Sequence, residues 1–138
     1  SSISYTGNNR THMIRIPDPG RFELRLMDGS VNPYLLQAGV LAAGIEGLNK
    51  QINPGKPLHC NMYEDSNKYP NLSKLPNELG ESLDKITNNK VINKAFGKNV
   101  IDSYVKLKKI ELKEFNSKEK FDKSKPITKW ERQNTLDC

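Results

Sequence analysis

Apolar and polar residues alternate in two short runs near the start of the chain, at 14–16 and at 21–26. Between them stand Asp18, Pro19 and Gly20, three residue types that favour turns. The pattern predicts a β-hairpin with a loop of about five residues. Because successive side chains of a strand point to opposite faces, the apolar residues of both runs should share one face and the charged residues the other.

The pairing of the two runs follows from the same alternation. We expect three cross-strand pairs: Ile14 with Leu24, Arg15 with Glu23, and Ile16 with Phe22. This register places Arg21 and Arg25 on the charged face together with Arg15 and Glu23. Residues 1–8 are expected to enter the hairpin as a strand end or a loop.

The next apolar stretch predicts a helix from Pro33 to about Lys50. Asn32 is a suitable N-cap and Pro33 a suitable first helical residue, and the Asn-Pro-Gly at 53–55 should end the helix. Its residues are apolar nearly all round, which is typical of a helix buried on several sides. We therefore expect it to pack on the apolar face of the hairpin and to be covered by more protein.

The remainder of the chain is predicted to be mainly helical. Residues 56–74 are expected to form a loop, and 118–125 a charged linker. The spacing of apolar residues predicts helices over 76–87, 91–96 and 99–116, with a last turn or two within 126–135. The predicted class is α+β, a β-hairpin packed on a buried helix and followed by a mainly helical C-terminal region, with the hairpin region at 1–31 and the helical region at 32–138.

Length and composition set broad limits. At 138 residues, of which 35% are hydrophobic, the chain is enough for one modest domain. It begins with Ser1-Ser2 rather than Met, so we expect it to be a piece of a longer protein. No secretory signal or membrane-length apolar run is visible, and Cys60 and Cys138 are too few for a disulfide framework, so the expected compartment is the cytoplasm.

The positive charge is distributed unevenly along the chain. The net charge is +6, and four of the five arginines lie in the first 25 residues: Arg10, Arg15, Arg21 and Arg25. All the lysines lie from Lys50 onward, where many are mixed with acidic residues, as on a solvated helix face. A planar guanidinium suits phosphate and carboxylate groups, so arginines clustered on one hairpin need a separate explanation.

From the residues alone, three explanations of the charged hairpin face stay open. It could be an ordinary solvated surface, with Arg15 and Glu23 forming a weak cross-strand pair. It could belong to a non-catalytic phosphate- or nucleic-acid-binding module, although the face carries no aromatic residue on which a base could stack. It could handle phosphoryl groups, with Glu23 holding Mg²⁺ or Mn²⁺. His12 and His59 are isolated, which favours structural roles.

Several short motifs together resemble one enzyme family. They are Asn9-Arg10-Thr11, Ile14-Arg15-Ile16-Pro17, Arg21-Phe22-Glu23-Leu24-Arg25, and Asp28 followed by Asn32-Pro33-Tyr34-Leu35. In order and spacing they resemble the last active-site motifs of the glutamine synthetases. The likeness continues over 42–47 and 53–55, and more weakly over 61–64 and 75–83. The resemblance implies that the chain is the C-terminal part of a glutamine synthetase catalytic domain, without the N-terminal β-grasp domain or the rest of the catalytic domain.

The resemblance also implies an activity and residue roles. In that family, ATP phosphorylates the side-chain carboxylate of glutamate, and ammonia then displaces phosphate from γ-glutamyl phosphate. Arg10 and Arg15 would contact the ATP phosphates and the transferred group, and Arg21 would lie near the nucleotide. Glu23 would ligate Mg²⁺ or Mn²⁺, and Arg25 would hold the substrate carboxylate or phosphate. The full-length protein would be a homo-oligomer, a dodecamer, without nucleic-acid or membrane partners.

Two departures from the common bacterial pattern bear on the substrate. The connection from Pro17 to Arg21 is short, and the sequence after Tyr63 differs. Both resemble the divergent type III branch, and the broader group includes ligases that join glutamate to methylamine. The amine therefore stays open between ammonia and a small amine. Tyr63 aligns with a tyrosine that some bacterial members adenylylate, but we interpret it as a plain loop residue. We expect the fragment to be inactive by itself.

Overall fold

The computed structural model describes residues 2–27, 29–119 and 127–135. The motif residue Asp28, most of the predicted charged linker and Cys138 lie outside the described residues. The elements in chain order are β1 (Tyr5–Thr6), β2 (Ile14–Asp18), β3 (Arg21–Leu24), α1 (Pro33–Asn49), α2 (Met62–Asp65), a 3₁₀ turn (Ser66–Lys68), α3 (Leu79–Asn88), α4 (Lys90–Phe96), α5 (Lys98–Lys118) and α6 (Lys129–Asn134). The predicted α+β class is confirmed.

The chain divides into two compact units. The first contains the described residues up to 27 together with Ile52–Asn77, and the second contains Gly29–Gln51 together with the described residues from Glu78 onward. The arginine-bearing hairpin and the segment that follows α1 therefore belong to the same unit. Every contact of the candidate site described below lies within this first unit.

The sheet of the first unit has the strand order β1-β2-β3. β1 is parallel to β2, with Tyr5 beside Ile14 and Thr6 beside Arg15, and β2 is antiparallel to β3. For residues 1–8 the sequence left a strand end or a loop open, because a two-residue strand is too short to show an alternating pattern. β1 adds a strand on the other side of β2, so β2 is the central strand of the sheet.

The hairpin register agrees with the sequence in two of the three expected pairs. Ile14 pairs with Leu24 and Arg15 with Glu23, but the third pair is Asp18 with Arg21. Two residues of β2 therefore oppose the single residue Phe22, which is the arrangement of a β-bulge. One of the two is Pro17, which has no N–H to donate to the ladder.

The expected loop of about five residues is shorter in the structure. β2 continues to Asp18 and β3 begins at Arg21, so only Pro19 and Gly20 connect the strands. Gly20 has a φ of +78°, in the left-handed region where a residue without a Cβ is favoured. The prediction counted Pro17 and Asp18 as loop residues, whereas they form the bulged end of the strand.

Helix α1 begins where the sequence predicted. The side-chain oxygen of Asn32 accepts hydrogen bonds from the backbone N–H groups of Tyr34 and Leu35, at 3.0 and 3.1 Å. No residue of α1 is buried by the described part of the chain, and Tyr34 and Leu48 are 81% and 80% exposed. The expectation of a helix buried on several sides is therefore not met within these residues. Its packing on the hairpin stays a prediction.

The segment 56–74 is more ordered than the predicted loop. It contains α2 and the 3₁₀ turn at Ser66–Lys68. Asn61 caps α2, since its side-chain oxygen accepts a hydrogen bond from the Tyr63 backbone N–H at 3.1 Å. A helix of four residues shows no helical periodicity in the sequence, which is why it was missed.

The second unit is built on helices α3, α4 and α5. Leu83 of α3 packs with Ile101 and Val105 of α5, and these three residues form a buried apolar cluster. Residues of α4, among them Ile92 and Phe96, pack against this cluster. The helices agree with the predicted ones to within about three residues at each end. None of the described helices is both long enough and apolar enough to span a bilayer.

Candidate functional site

Arg15 is the most enclosed charged side chain of the hairpin. It lies on the central strand β2, and its side chain is only 11% exposed. Its Nη1 donates to Glu23 Oε1 at 2.7 Å, and its Nε donates to Asn8 Oδ1 at 2.9 Å. Its Nη2 also donates to Asn8 Oδ1. The guanidinium is therefore held between Glu23 and Asn8.

Glu23 is surrounded by the three arginines that the alternation predicted on its face. Besides the bond from Arg15, Arg21 Nη2 lies 3.6 Å from Glu23 Oε1, and Arg25 Nη1 lies 4.0 Å from Glu23 Oε2. Arg21 is 60% exposed and also lies 3.7 Å from Asp18 Oδ2. The structure thus brings Arg15, Arg21, Glu23 and Arg25 together on one face of the sheet.

The arginines also affect the ionisation of Glu23. The hydrogen bond from Arg15 is the main cause that lowers the pKa of Glu23 below its ordinary value of 4.5. Partial burial of the carboxyl opposes this effect, and the charges of Arg15, Arg21 and Arg25 lower the pKa further. Glu23 is therefore a carboxylate at neutral and mildly acidic pH, which is the form that accepts hydrogen bonds and binds cations.

Arg10 lies next to Arg25, although no strand pairing predicted its position. Arg25 Nε donates to the backbone carbonyl of Arg10 at 3.0 Å, and the Arg25 backbone N–H donates to the Met13 carbonyl at 2.9 Å. The second bond extends the hairpin ladder one step beyond β3. Together these bonds fix the segment that carries Arg10 beside the end of that strand.

A cavity of about 460 Å³ opens beside these two arginines, within the first unit. Arg10, Arg25 and Lys74 contribute its cations, and Tyr63 and Ser66 also line it. Among the described residues no aspartate or glutamate lines this cavity. Its chemistry therefore favours an anionic group such as a carboxylate or phosphate.

The segment that carries Arg10 is anchored to the stretch around Cys60. Asn9 Nδ2 donates to the Cys60 carbonyl at 3.0 Å, and the Met62 backbone N–H donates to Thr11 Oγ1 at 3.0 Å. His12 is buried, and its Nε2 donates to the same Cys60 carbonyl at 2.9 Å because a carbonyl can only accept. Its Nδ1 lies 3.1 Å from the Ser4 hydroxyl oxygen.

The donor set at Glu23 fits part of a metal site. A carboxylate oxygen is the ligand type that Mg²⁺ and Mn²⁺ prefer, and Arg25 Nη1 lies 4.0 Å from Glu23 Oε2. Those residues hold no group of three or more histidine, cysteine, aspartate or glutamate side chains that could bind a metal. Glu23 therefore fits as one ligand of such a site, and the described residues add no cluster around it.

Sequence reasoning missed two parts of this site. Asn8 lies in a turn between β1 and β2, where no periodicity indicates which way a side chain points. The stretch at Cys60–Met62 is about fifty positions away in sequence from the arginines that it supports. Its available signals were the weak family likeness over 61–64 and Asn61, a good N-cap residue that precedes α2.

Comparison with known protein families gives one match over nearly the whole chain. A family model described as "Glutamine synthetase, catalytic domain" matches residues 1–133. The match includes every candidate residue of the hairpin and of the cavity. It agrees with the resemblance that the hairpin motifs carry.

Curated relatives and solved structures extend this comparison. A glutamine synthetase of Rhizobium meliloti (strain 1021) is 43% identical over 137 residues, which are 99% of this chain and 30% of the relative. A glutamate–methylamine ligase of Methyloversatilis universalis is 42% identical over 116 residues, which are 82% of this chain and 26% of the relative. A solved structure described as a GmaS/ADP complex, conformation 1, is similar with a TM-score of 0.81 and 39% identity, covering 99% of this chain and 30% of that one. The chain thus spans between 26% and 30% of the length of these relatives.

Proposed function

Because the chain belongs to the glutamine synthetase catalytic-domain family, we propose that the protein it is part of is an ATP-dependent ligase that joins glutamate to ammonia. The observation that carries this proposal is the arrangement of Arg15, Arg21 and Arg25 around the Glu23 carboxylate. Three guanidiniums around one acid on one face of a sheet suit a reaction in which negative charge moves between phosphate and carboxylate groups.

The proposed reaction has two steps, phosphoryl transfer and attack by the amine. A side-chain carboxylate oxygen of glutamate attacks the γ-phosphorus of ATP, and the bond to the bridging oxygen breaks, which gives γ-glutamyl phosphate and ADP. The nitrogen of ammonia then attacks the activated carbonyl carbon, phosphate leaves with the C–O bonding pair, and the nitrogen loses a proton. Both steps place negative charge on phosphoryl oxygens, which guanidinium donors stabilise.

Arg15 and Arg10 are the proposed contacts to the ATP phosphates and the transferred phosphoryl group. The Arg15 guanidinium is nearly buried and held on two sides, so its direction is fixed before a substrate arrives. Such a preorganised charge needs little rearrangement during the reaction. Arg21 is exposed at the rim of the charged face, which suits a contact to the nucleotide.

Glu23 and Arg25 have complementary proposed roles. Glu23 supplies one carboxylate ligand to Mg²⁺ or Mn²⁺, a cation that neutralises charge on the ATP phosphates when bound. Arg25 lines the cationic cavity with Arg10 and Lys74, so it can bind the carboxylate of glutamate or the phosphate. Its bond to the Arg10 carbonyl fixes the direction of its side chain.

A second amine is supported by specific similarities. One relative is a glutamate–methylamine ligase that is 42% identical, and the GmaS/ADP complex covers 99% of this chain. We therefore keep glutamate–methylamine ligation as the alternative activity. The phosphoryl step is the same in both activities, so the roles of the hairpin residues do not depend on the choice.

An amine panel tests the proposal. The complete ligase that carries this chain is incubated with ATP, Mg²⁺ and glutamate, and with ammonia, methylamine or ethylamine, while ADP release and the amide product are both measured. Ammonia-dependent ADP release with formation of glutamine supports the first activity. A larger kcat/KM with methylamine would replace it by the alternative, and no amine-dependent ADP release would contradict both.

Compartment, oligomeric state and the activity of the isolated chain are also part of the proposal. We propose that the complete ligase is a cytoplasmic homo-oligomer, a dodecamer, and that the 138-residue chain by itself does not turn over ATP. The reason for the second part is that the chain spans only about 30% of the length of the ligases to which it is similar. Amine-dependent ATP turnover by the isolated chain would contradict this part of the proposal.

A further inference from the structure

We infer that Asn8 is a positioning residue for Arg15, an inference that rests on the proposed role of Arg15 in phosphoryl transfer. One side-chain oxygen of Asn8 accepts hydrogen bonds from both Arg15 Nε and Arg15 Nη2. Asn8 therefore binds the guanidinium edge formed by Nε and Nη2, while Glu23 accepts a hydrogen bond from Nη1. None of the sequence motifs marks Asn8 for this role.

The two partners of Arg15 have unequal consequences for the direction of its guanidinium. A guanidinium and a carboxylate preferentially form two parallel hydrogen bonds with each other. Asn8 occupies the edge formed by Nε and Nη2, so Arg15 makes a single bond to Glu23 through Nη1. Without Asn8, we expect Arg15 to rotate until it donates two parallel hydrogen bonds to Glu23, because a nearly buried guanidinium must find partners for its N–H groups.

That rotation would affect two proposed functions together. The remaining N–H groups of Arg15 would turn away from the transferred phosphoryl group. The second carboxylate oxygen of Glu23, which is 4.0 Å from Arg25, would become engaged by Arg15. Asn8 thus keeps Arg15 directed toward the phosphate and keeps one oxygen of Glu23 open.

The backbone around Asn8 is fixed well enough for this role. The carbonyl of Gly7 accepts hydrogen bonds from the Asn9 N–H at 2.8 Å and from the Ile16 N–H at 3.1 Å. The second bond connects the turn directly to β2, the strand that carries Arg15. The Asn8 side chain is therefore presented from a turn whose backbone is bonded to that strand.

The test uses substitutions of Asn8 in the complete ligase. Asn8→Ala removes the acceptor and is expected to lower kcat roughly ten- to hundredfold with little change in the KM for ATP. Asn8→Asp keeps an acceptor oxygen in place and is expected to recover most of kcat. Asn8→Gly, which also lacks the amide and suits a turn, replaces Asn8→Ala if that variant does not fold. The exposed Asn71 provides a matched control, Asn71→Ala, for which wild-type kinetics are expected.

A double-mutant cycle separates positioning from a merely structural role. Asn8→Ala combined with Arg15→Ala should be no slower than Arg15→Ala by itself, because Asn8 acts through Arg15. Losses that multiply would overturn the inference, as would a wild-type kcat for Asn8→Ala when Arg15→Ala is slow. If Arg15→Ala itself has a normal kcat, the proposed role of Arg15 fails, and the inference about Asn8 fails with it.

Discussion

Arg15 brings a positive charge into a nearly buried position, which is unfavourable unless its N–H groups are paired. Asn8 and Glu23 accept three of its hydrogen bonds. The pairing with Glu23 could be predicted from the sequence, since alternation places both residues on one strand face. The pairing with Asn8 could not, because a turn has no periodicity that fixes the direction of a side chain.

The lowered pKa of Glu23 can be tested by titration. Its pKa in the folded chain lies below the ordinary value of 4.5, mainly through the hydrogen bond from Arg15. A carboxyl with a lowered folded-state pKa stabilises the fold above its unfolded-state pKa, and this contribution is lost as the pH falls through the folded-state value. A carbon NMR titration of labelled Glu23 should give a midpoint below 4.5 that rises in Arg15→Ala. A wild-type midpoint at or above 4.5 would contradict the geometry.

The proposed metal contact of Glu23 is tested by removing its charge. Glu23→Gln should weaken binding of Mg²⁺ or Mn²⁺ to the complete ligase by roughly tenfold or more, since even partners of metal ligands contribute that much. Titration calorimetry with the metal salt measures the dissociation constant directly. Asp18→Asn serves as the control, because Asp18 is an exposed acid on the same hairpin. Equal affinities for Glu23→Gln and wild type would exclude Glu23 as a ligand.

At the scale of single elements, the hairpin shows how far alternation predicts structure. The register at Ile14 and Arg15 is as expected, because a shift by one residue would turn all the apolar side chains of one strand to the charged face. The bulge opposite Phe22 was not predicted, because Pro17 in an alternating run was assigned to the loop. The bulge restores alignment of Asp18 with Arg21, so that the charged face remains continuous.

Helix α1 allows a direct test of a predicted cap. Asn32→Ala removes the acceptor for the backbone N–H groups of Tyr34 and Leu35 and should lower the free energy of unfolding by about 1 kcal/mol. Asn32→Asp keeps an acceptor and should retain most of the stability. Urea denaturation followed by circular dichroism measures both variants. Unchanged stability in Asn32→Ala would show that the cap contributes nothing to the fold.

At the scale of the whole molecule, the described chain has a small apolar core. Leu83, Ile101 and Val105 form its buried cluster in the second unit, and helix spacing in the sequence predicted the helices that carry them. The sequence also predicted a buried α1, and the described residues do not bury it. Its apolar composition indicates what must be covered, but not which part of a longer protein covers it.

The exposed residues of α1 predict association of the isolated chain. Leu41 and Leu48 are 64% and 80% exposed, and Tyr34 is 81% exposed. Contiguous exposed apolar surface of this kind drives association in water. Sedimentation velocity of the 138-residue chain should therefore show oligomers or aggregates, and the double variant Leu41→Lys/Leu48→Lys should shift the distribution toward monomer. A compact, stable wild-type monomer would contradict this prediction.

The central claim is that the hairpin arginines act on a phosphoryl group, and the kinetics of Arg15→Ala in the complete ligase test it most directly. Loss of a preorganised donor should lower kcat by about 10²–10³-fold, while the KM for ATP changes little. Arg132→Ala, which removes an exposed arginine from α6, is the matched control and should behave as wild type. A normal kcat for Arg15→Ala would contradict the claim and make the charged face an ordinary solvated surface.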